Sequence, residues 1–168
     1  MRSQLERKFG AFNKDGRPCD GEPCGCGQPT CLLCKVFGAH KNTKHNLGAT
    51  RILVRDAFFN EKTRSEYLSL VKDKGTSYIE KKTENIVNRQ SGTAEHPRSQ
   101  ERVASGAEFD IEIVLQLYDT DGDGTTIIDF VKNGLKEVQS TYLGGFGSRG
   151  SGKVSFCQMK LDGTTFEI

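Results

Sequence analysis

Four cysteines, Cys24, Cys26, Cys31 and Cys34, form a C-x-C-x4-C-x2-C run within eleven residues. Short spacing between thiols, with Gly25 and Gly27 interleaved, lets a backbone wrap a tetrahedral cation. The expected occupant is a structural Zn²⁺, because four protein ligands leave no open position for water. Binding energy there counts as folding energy for a loop with almost no apolar content of its own. Cys19, His40 and His45 are alternative ligands, an iron–sulfur cluster also suits four close cysteines, and free thiols or a disulfide-stapled loop are the plain alternatives. Cys157, far downstream, reads as a core thiol.

A second candidate lies at Leu143–Lys153, LGGFGSRGSGK. Closely spaced glycines such as Gly145 and Gly150 let backbone N–H groups approach phosphate oxygens, and Arg149 and Lys153 add positive charge. Phe146 can stack on a base or a sugar. The stretch Gly147–Lys153 also matches G-x-x-x-x-G-K, but a nucleotide-binding P-loop follows a strand, opens a helix and places Ser or Thr after the lysine. Here the loop follows a helical pattern and Val154 comes next, so nucleotide hydrolysis is rejected. A plain helix-to-strand turn is the alternative reading.

A third candidate is the polar stretch 80–106, EKKTENIVNRQSGTAEHPRSQERVASG. Lys82, Arg89, Arg98 and Arg102 supply charge and Asn85 supplies hydrogen bonds. Ile86 and Val87 form an apolar pair that could wedge between bases while the arginines hold phosphates; a surface loop is the alternative. Asp119, Asp121, Asp123 and Gly124 resemble the start of a calcium loop, yet its twelfth position is Phe130 rather than Glu. A solvated turn with acids at a helix N-terminus is expected instead.

The elements that position these groups follow from periodicity. Residues 1–10 read as the end of a helix capped by Gly10, and 11–48 as loop. Residues 50–59, TRILVRDAFF, are β-branched and apolar and predict a strand; a short helix is expected around Ser65–Val71. Residues 76–106 predict a long hairpin or a mobile arm. Residues 107–118 alternate, with Phe109, Ile111, Ile113, Leu115 and Leu117 on one side, which predicts the clearest strand. Ile127, Val131, Leu135, Val138 and Tyr142 recur at helical spacing and predict a helix over 126–143. A last strand is expected at Val154–Leu161. The order suggests an α+β fold: a ferredoxin-like βαββαβ unit without its first strand, the chain being truncated or the strand supplied by something else.

The chain has 168 residues, 35% apolar and 27% charged, enough for one modest core. Net charge is only +2, but residues 1–55 carry ten Lys/Arg against four Asp/Glu, whereas 104–139 carry two against eight. Such asymmetry fits a nucleic-acid face and a separate acidic face, or ordinary surface variation. No apolar run approaches the roughly 20 residues of a membrane span, and MRSQLERKFG has no signal-peptide core. A cytoplasmic protein without a membrane partner is expected, its cysteines thiolates or thiols rather than disulfides.

The segments 51–57 (RILVRDA), 82–98 (KTENIVNRQSGTAEHPR), 101–110 (ERVASGAEFD) and 143–154 (LGGFGSRGSGKV) resemble the RAMP-superfamily backbone subunit of type III CRISPR complexes, especially type III-A; the cysteine run 24–38 is similar to that family's zinc loop. The resemblance implies a single RRM-like domain over 1–168, with a zinc-binding insertion at 11–48 and a thumb arm at 76–106. It implies copies stacked along CRISPR guide RNA, with target RNA and other effector subunits as further partners in antiviral defence. Ser148 and Arg149 would touch the guide backbone, and Arg2 would sit on a helix that also contacts RNA. The family activity is endoribonuclease, using an Asp in a loop upstream of the first helix. This sequence is expected to begin inside that helix, neither Asp56 nor Asp110 occupies that motif, and no catalytic residue is assigned. Three readings therefore stand together: a guide-binding subunit, a target-RNA endoribonuclease in a full-length parent, and an RNA-independent zinc-loop protein.

Overall fold

A computed structural model describes residues 1–9, 22–75 and 79–168. The expected Gly10 cap, the upstream part of the cysteine loop with Cys19, and the first residues of the polar arm (76–78) lie outside the described residues. The chain divides into two units, Met1–Val54 with Ile113–Ile168, and Arg55–Glu112. Each combines helix with small two-stranded antiparallel sheets.

In the first unit, helix α1 (Arg2–Phe9) and helix α2 (Leu32–Phe37) pack on the long helix α4 (Thr125–Ser140). Four of the five residues at helical spacing, Ile127, Val131, Leu135 and Val138, form the buried stripe of α4 together with Phe130, whereas the helix ends at Ser140, before Tyr142. Opposite them lie Leu5 of α1 and Leu33 and Val36 of α2, with Leu47 from the following loop. The Phe130 ring stacks with Phe9 at 5.9 Å and meets Phe37 at 6.3 Å, tilted. Strand β1 (Ile52–Val54) pairs with strand β6 (Ile113–Leu115), Ile52 opposite Leu115. The ladder extends by one bond, Gln116 N–H to Arg51 O at 2.8 Å.

In the second unit, strand β2 (Phe58–Phe59) pairs with strand β5 (Phe109–Asp110). Phe59 gathers Phe109 at 4.8 Å and Tyr67 at 5.9 Å. Helix α3 (Glu61–Lys74) starts where the Asn60 side chain accepts from Thr63 N–H at 2.9 Å, and stops at the left-handed Gly75. It is longer than the expected 65–71 because this cap adds its first turn. Strands β3 (Ile79–Val87) and β4 (Ala94–Val103) form a hairpin whose register shifts at Asn85, between Glu84 and Ile86. Its turn closes through Asn88 N–H to Thr93 O at 2.9 Å and Gly92 N–H to Asn88 O at 2.8 Å.

Four expectations need correction. The strand at 50–59 is two short strands separated at 55–57, and that at 107–118 is likewise split, each half pairing within its own unit. The expected final strand shrinks to β7 (Lys160–Leu161), paired with β8 (Thr164–Thr165). Upstream of it the Phe156 N–H bonds the Gln139 side chain at 2.8 Å, so a side chain satisfies backbone expected to lie in a sheet. Cys157 is exposed, not a core thiol. Among the described residues no helix is long and apolar enough to cross a membrane.

Candidate functional site

The segment 24–34 brings four sulfurs together because it doubles back. Lys35 N–H to Cys31 O at 2.9 Å opens α2, and His40 N–H to Cys24 O at 3.1 Å brings the chain after α2 back to the first cysteine. At Gly25 a Cβ would fall 2.2 Å from the His40 carbonyl oxygen, so only glycine permits this approach. The Sγ atoms of Cys24, Cys26, Cys31 and Cys34 all lie within 4.8 Å of one another. Cys24 and Cys31 are 3.9 Å apart, Cys26 and Cys34 3.6 Å, and Cys24 and Cys34 3.6 Å. These separations match the edge of a tetrahedron, about 3.8 Å for metal–sulfur bonds of about 2.3 Å. They are far from the sulfur–sulfur bond length of about 2.05 Å.

Burial pushes the Cys31 thiol up to about 11 and raises Cys34 as well. At Cys26 partial burial is outweighed by bonds to the Gln28 backbone and the neighbouring thiols, and its value is lowered. Without a cation the Cys31 and Cys34 thiols hold their protons more tightly than a free cysteine does. A divalent cation bound here would take the place of those protons and release them. Of the alternative ligands, His40 Nε2 lies 3.0 Å from Glu22, and His45 Nδ1 accepts from Leu47 N–H at 3.2 Å.

The cysteine loop is tied down on two sides. Arg2 Nη2 donates to Cys24 O at 2.8 Å and Arg2 Nη1 to Phe37 O at 3.3 Å. Glu6 Oε1 accepts from Arg2 Nε at 2.9 Å and from Cys24 N–H at 2.8 Å. From α2, Lys35 reaches Asp121 at 3.2 Å, and Arg51 grips the same carboxylate at 3.0 and 3.2 Å. Arg51 also donates to Leu47 O at 2.6 Å and lies 4.7 Å over the Tyr118 ring. The expected solvated acidic turn therefore fails at Asp121, whose side chain is 0% exposed. Its bonds to Arg51 outweigh burial and hold the carboxyl at about 2. No local pattern marks this pair, since 70 residues separate its members.

The glycine loop follows α4. Leu143 N–H donates to Gly152 O at 2.8 Å and closes it, and within it Arg149 N–H to Phe146 O at 2.9 Å makes one tight turn over Gly147–Arg149. Phe146, in a left-handed conformation, is 54% exposed, with the Arg149 guanidinium 5.7 Å over its ring. An open cavity of about 630 Å³ lies between this turn, Thr141 and Tyr142 at the end of α4, and Arg7 on α1. Phe146, Ser148 and Arg149 thus share one pocket. Gly145, Gly150 and Lys153 are exposed along the same loop but do not line it. Arg7 is the residue sequence reasoning missed. Its signal was a basic pair with Lys8 in the last turn of α1.

The remaining candidates sit on the β3–β4 hairpin of the other unit. Lys82 pairs with Glu84 at 2.8 Å, and Arg102 with Glu80 through two contacts of 2.9 Å. Asn85, Arg89 and Arg98 are exposed.

A family model described as the RAMP superfamily matches residues 1–155. Curated proteins named CRISPR system Cms endoribonuclease Csm3 are similar in sequence. That of Methanocaldococcus jannaschii is 37% identical over 164 residues, covering 96% of this chain and 60% of the relative. That of Methanothermobacter thermautotrophicus is 37% identical over 172 residues, covering 96% and 64%. That of Streptococcus thermophilus is 34% identical over 131 residues, covering 77% and 56%. The chain thus spans less than two thirds of the length of these relatives.

Proposed function

The chain belongs to the RAMP superfamily, and from that premise we propose that it is a CRISPR-RNA-binding backbone subunit of a type III antiviral ribonucleoprotein. Copies would stack along the guide and position target RNA, alongside other effector subunits. The observation that carries this reading is the open pocket at the glycine loop, where two arginines and an exposed aromatic ring face solvent together. Arg7 and Arg149 supply charge for phosphates, the loop supplies backbone donors, and Phe146 supplies a stacking face; together these fit a single strand without reading its sequence. The core is read as one RRM-like domain with the cysteine insertion at 11–48 and a thumb arm at 76–106. Lys82, Asn85, Arg89, Arg98 and Arg102 on that arm would meet the guide–target duplex, and Ile86 and Val87 would wedge between bases. Cys24, Cys26, Cys31 and Cys34 would hold a structural Zn²⁺, whose closed tetrahedron supplies folding energy and no open coordination position.

The relatives' printed name, endoribonuclease, favours a second reading: target-RNA cleavage by the longer protein, with this chain supplying the platform. Binding of a fluorescent single-stranded RNA by the zinc-loaded chain, measured by anisotropy across a salt series, tests the first reading. Phosphate contacts predict a linear fall of log affinity with log salt, with a slope of about −0.7 per contact for a single strand. A chain that binds zinc but no RNA would leave an RNA-independent zinc-loop protein. Incubating target RNA and a divalent cation with a protein of the relatives' full length that contains this segment tests the second.

A further inference from the structure

The cysteine cluster and the glycine-loop pocket are reached by the same short helix. Helix α1 has eight residues, and an isolated helix of that length does not repay the cost of its first turn in water. Its placement is therefore set by what holds it. Towards the cysteines, Glu6 and Arg2 together grip both backbone groups of Cys24, the N–H at 2.8 Å and the carbonyl at 2.8 Å. Towards the pocket, Gln4 Nε2 donates to Tyr142 O at 2.6 Å and to Thr141 Oγ1 at 3.0 Å, and Arg7 lines the cavity beside those two residues. Gln4 is 7% exposed and its Oε1 has no partner among the described residues, so among these the two Nε2 bonds orient the amide. Leu5, fully buried, keys the helix into the core of α2 and α4 between the two sets of contacts.

We infer that α1 couples the two sites, so that a metal held by the four cysteines and a single RNA strand in the glycine-loop pocket bind with positive cooperativity. Ligation at Cys24 fixes the backbone that Glu6 and Arg2 hold. That fixes the helix, and with it the position of Arg7 and of the Gln4 bonds to the pocket wall. Glu6 and Gln4 are positioning residues in this scheme, and neither is assigned a contact with metal or RNA. The inference rests on the reading of the pocket as an RNA site.

Coupling of this kind is reciprocal: each ligand raises the affinity of the other by the same factor, with typical values of about 5- to 150-fold. The experiment uses the full chain and a fluorescent oligouridylate. RNA affinity is measured by anisotropy with zinc loaded and with zinc chelated, and zinc affinity by competition with a chromophoric chelator, with and without the same RNA. The expected result is a change of roughly tenfold in both directions. In Glu6→Ala, and separately in Gln4→Ala, both changes shrink to near unity while each variant still binds one zinc. General loosening of the fold would not abolish the RNA-dependent gain in zinc affinity while leaving zinc binding in place. Equal RNA affinity with and without zinc would overturn the coupling and leave the RNA reading standing. Coupling that persists in both variants would overturn the route through α1. A zinc-loaded chain that binds no RNA would remove the RNA reading, and this inference with it.

Discussion

Replacing Gly152 by alanine, with Gly144→Ala as its control, separates two costs at the glycine loop. Both residues are left-handed, Gly144 at φ +80 and Gly152 at φ +82. Alanine at either position incurs about 1–2 kcal/mol for that conformation, offset by about 0.4–1 kcal/mol from a stiffer unfolded chain. At Gly144 nothing lies within 4 Å of an added Cβ, so the net loss should stay near 1 kcal/mol. At Gly152 the Cβ would sit 2.2 Å from the Leu143 carbonyl oxygen. That atom is backbone, so no rotamer change relieves the overlap. An overpacking cost of about 1–3 kcal/mol is added, giving roughly 2–4 kcal/mol in total. The bond from Leu143 N–H to Gly152 O, which closes the loop, must then lengthen or break. Urea unfolding at constant m reads the stability difference, and anisotropy reads RNA affinity. Gly152→Ala should lose both and Gly144→Ala little of either. Equal stability losses with equal affinities would refute the claim that the close approach at Gly152 shapes the loop.

Arg149→Ala should weaken RNA binding by a similar factor whatever the RNA sequence and reduce the salt slope by about one contact; an affinity that changes for one sequence only would contradict a phosphate role. Cys31→Ala should release bound metal and loosen the described part of the cysteine loop, read by metal analysis and proteolysis; an unchanged metal content would sink the zinc assignment. Asp121→Asn should cost on the order of 3 kcal/mol near pH 7 by stranding Arg51. Because the folded carboxyl titrates at about 2, below its ordinary value of about 3.9, its stabilisation is complete above roughly pH 5 and is lost as pH falls through the folded value. The difference between wild type and variant in acid titration should therefore collapse between about pH 5 and pH 2; a constant difference would argue against the ion pair.

What could be read from the chain depended on how locally each feature is encoded. The buried stripe of α4 is a repeat of three and four residues, and the cysteine cluster is a spacing pattern within eleven residues, so both announce themselves. Strands 50–59 and 107–118 are legible as apolar and alternating, but where each breaks depends on its partner, which lies at least fifty residues away. Arg51 and Asp121 looked like a strand residue and a surface acid, because nothing local to either reveals a shared burial. Arg7 became visible only when α1 met the end of α4. The glycine loop showed its chemistry in composition, while its accessibility is a property of the packed unit.

Not one side chain of the β3–β4 hairpin is buried; each is exposed or at most half-exposed along both strands. A ribbon bare on both faces owes its shape to its ladder and its turn, and its amides should exchange with solvent sooner than those of α4. Most substitutions there disturb no core, so stability scarcely restricts which residues the ribbon can carry. Its amino acids are then free to suit whatever it touches.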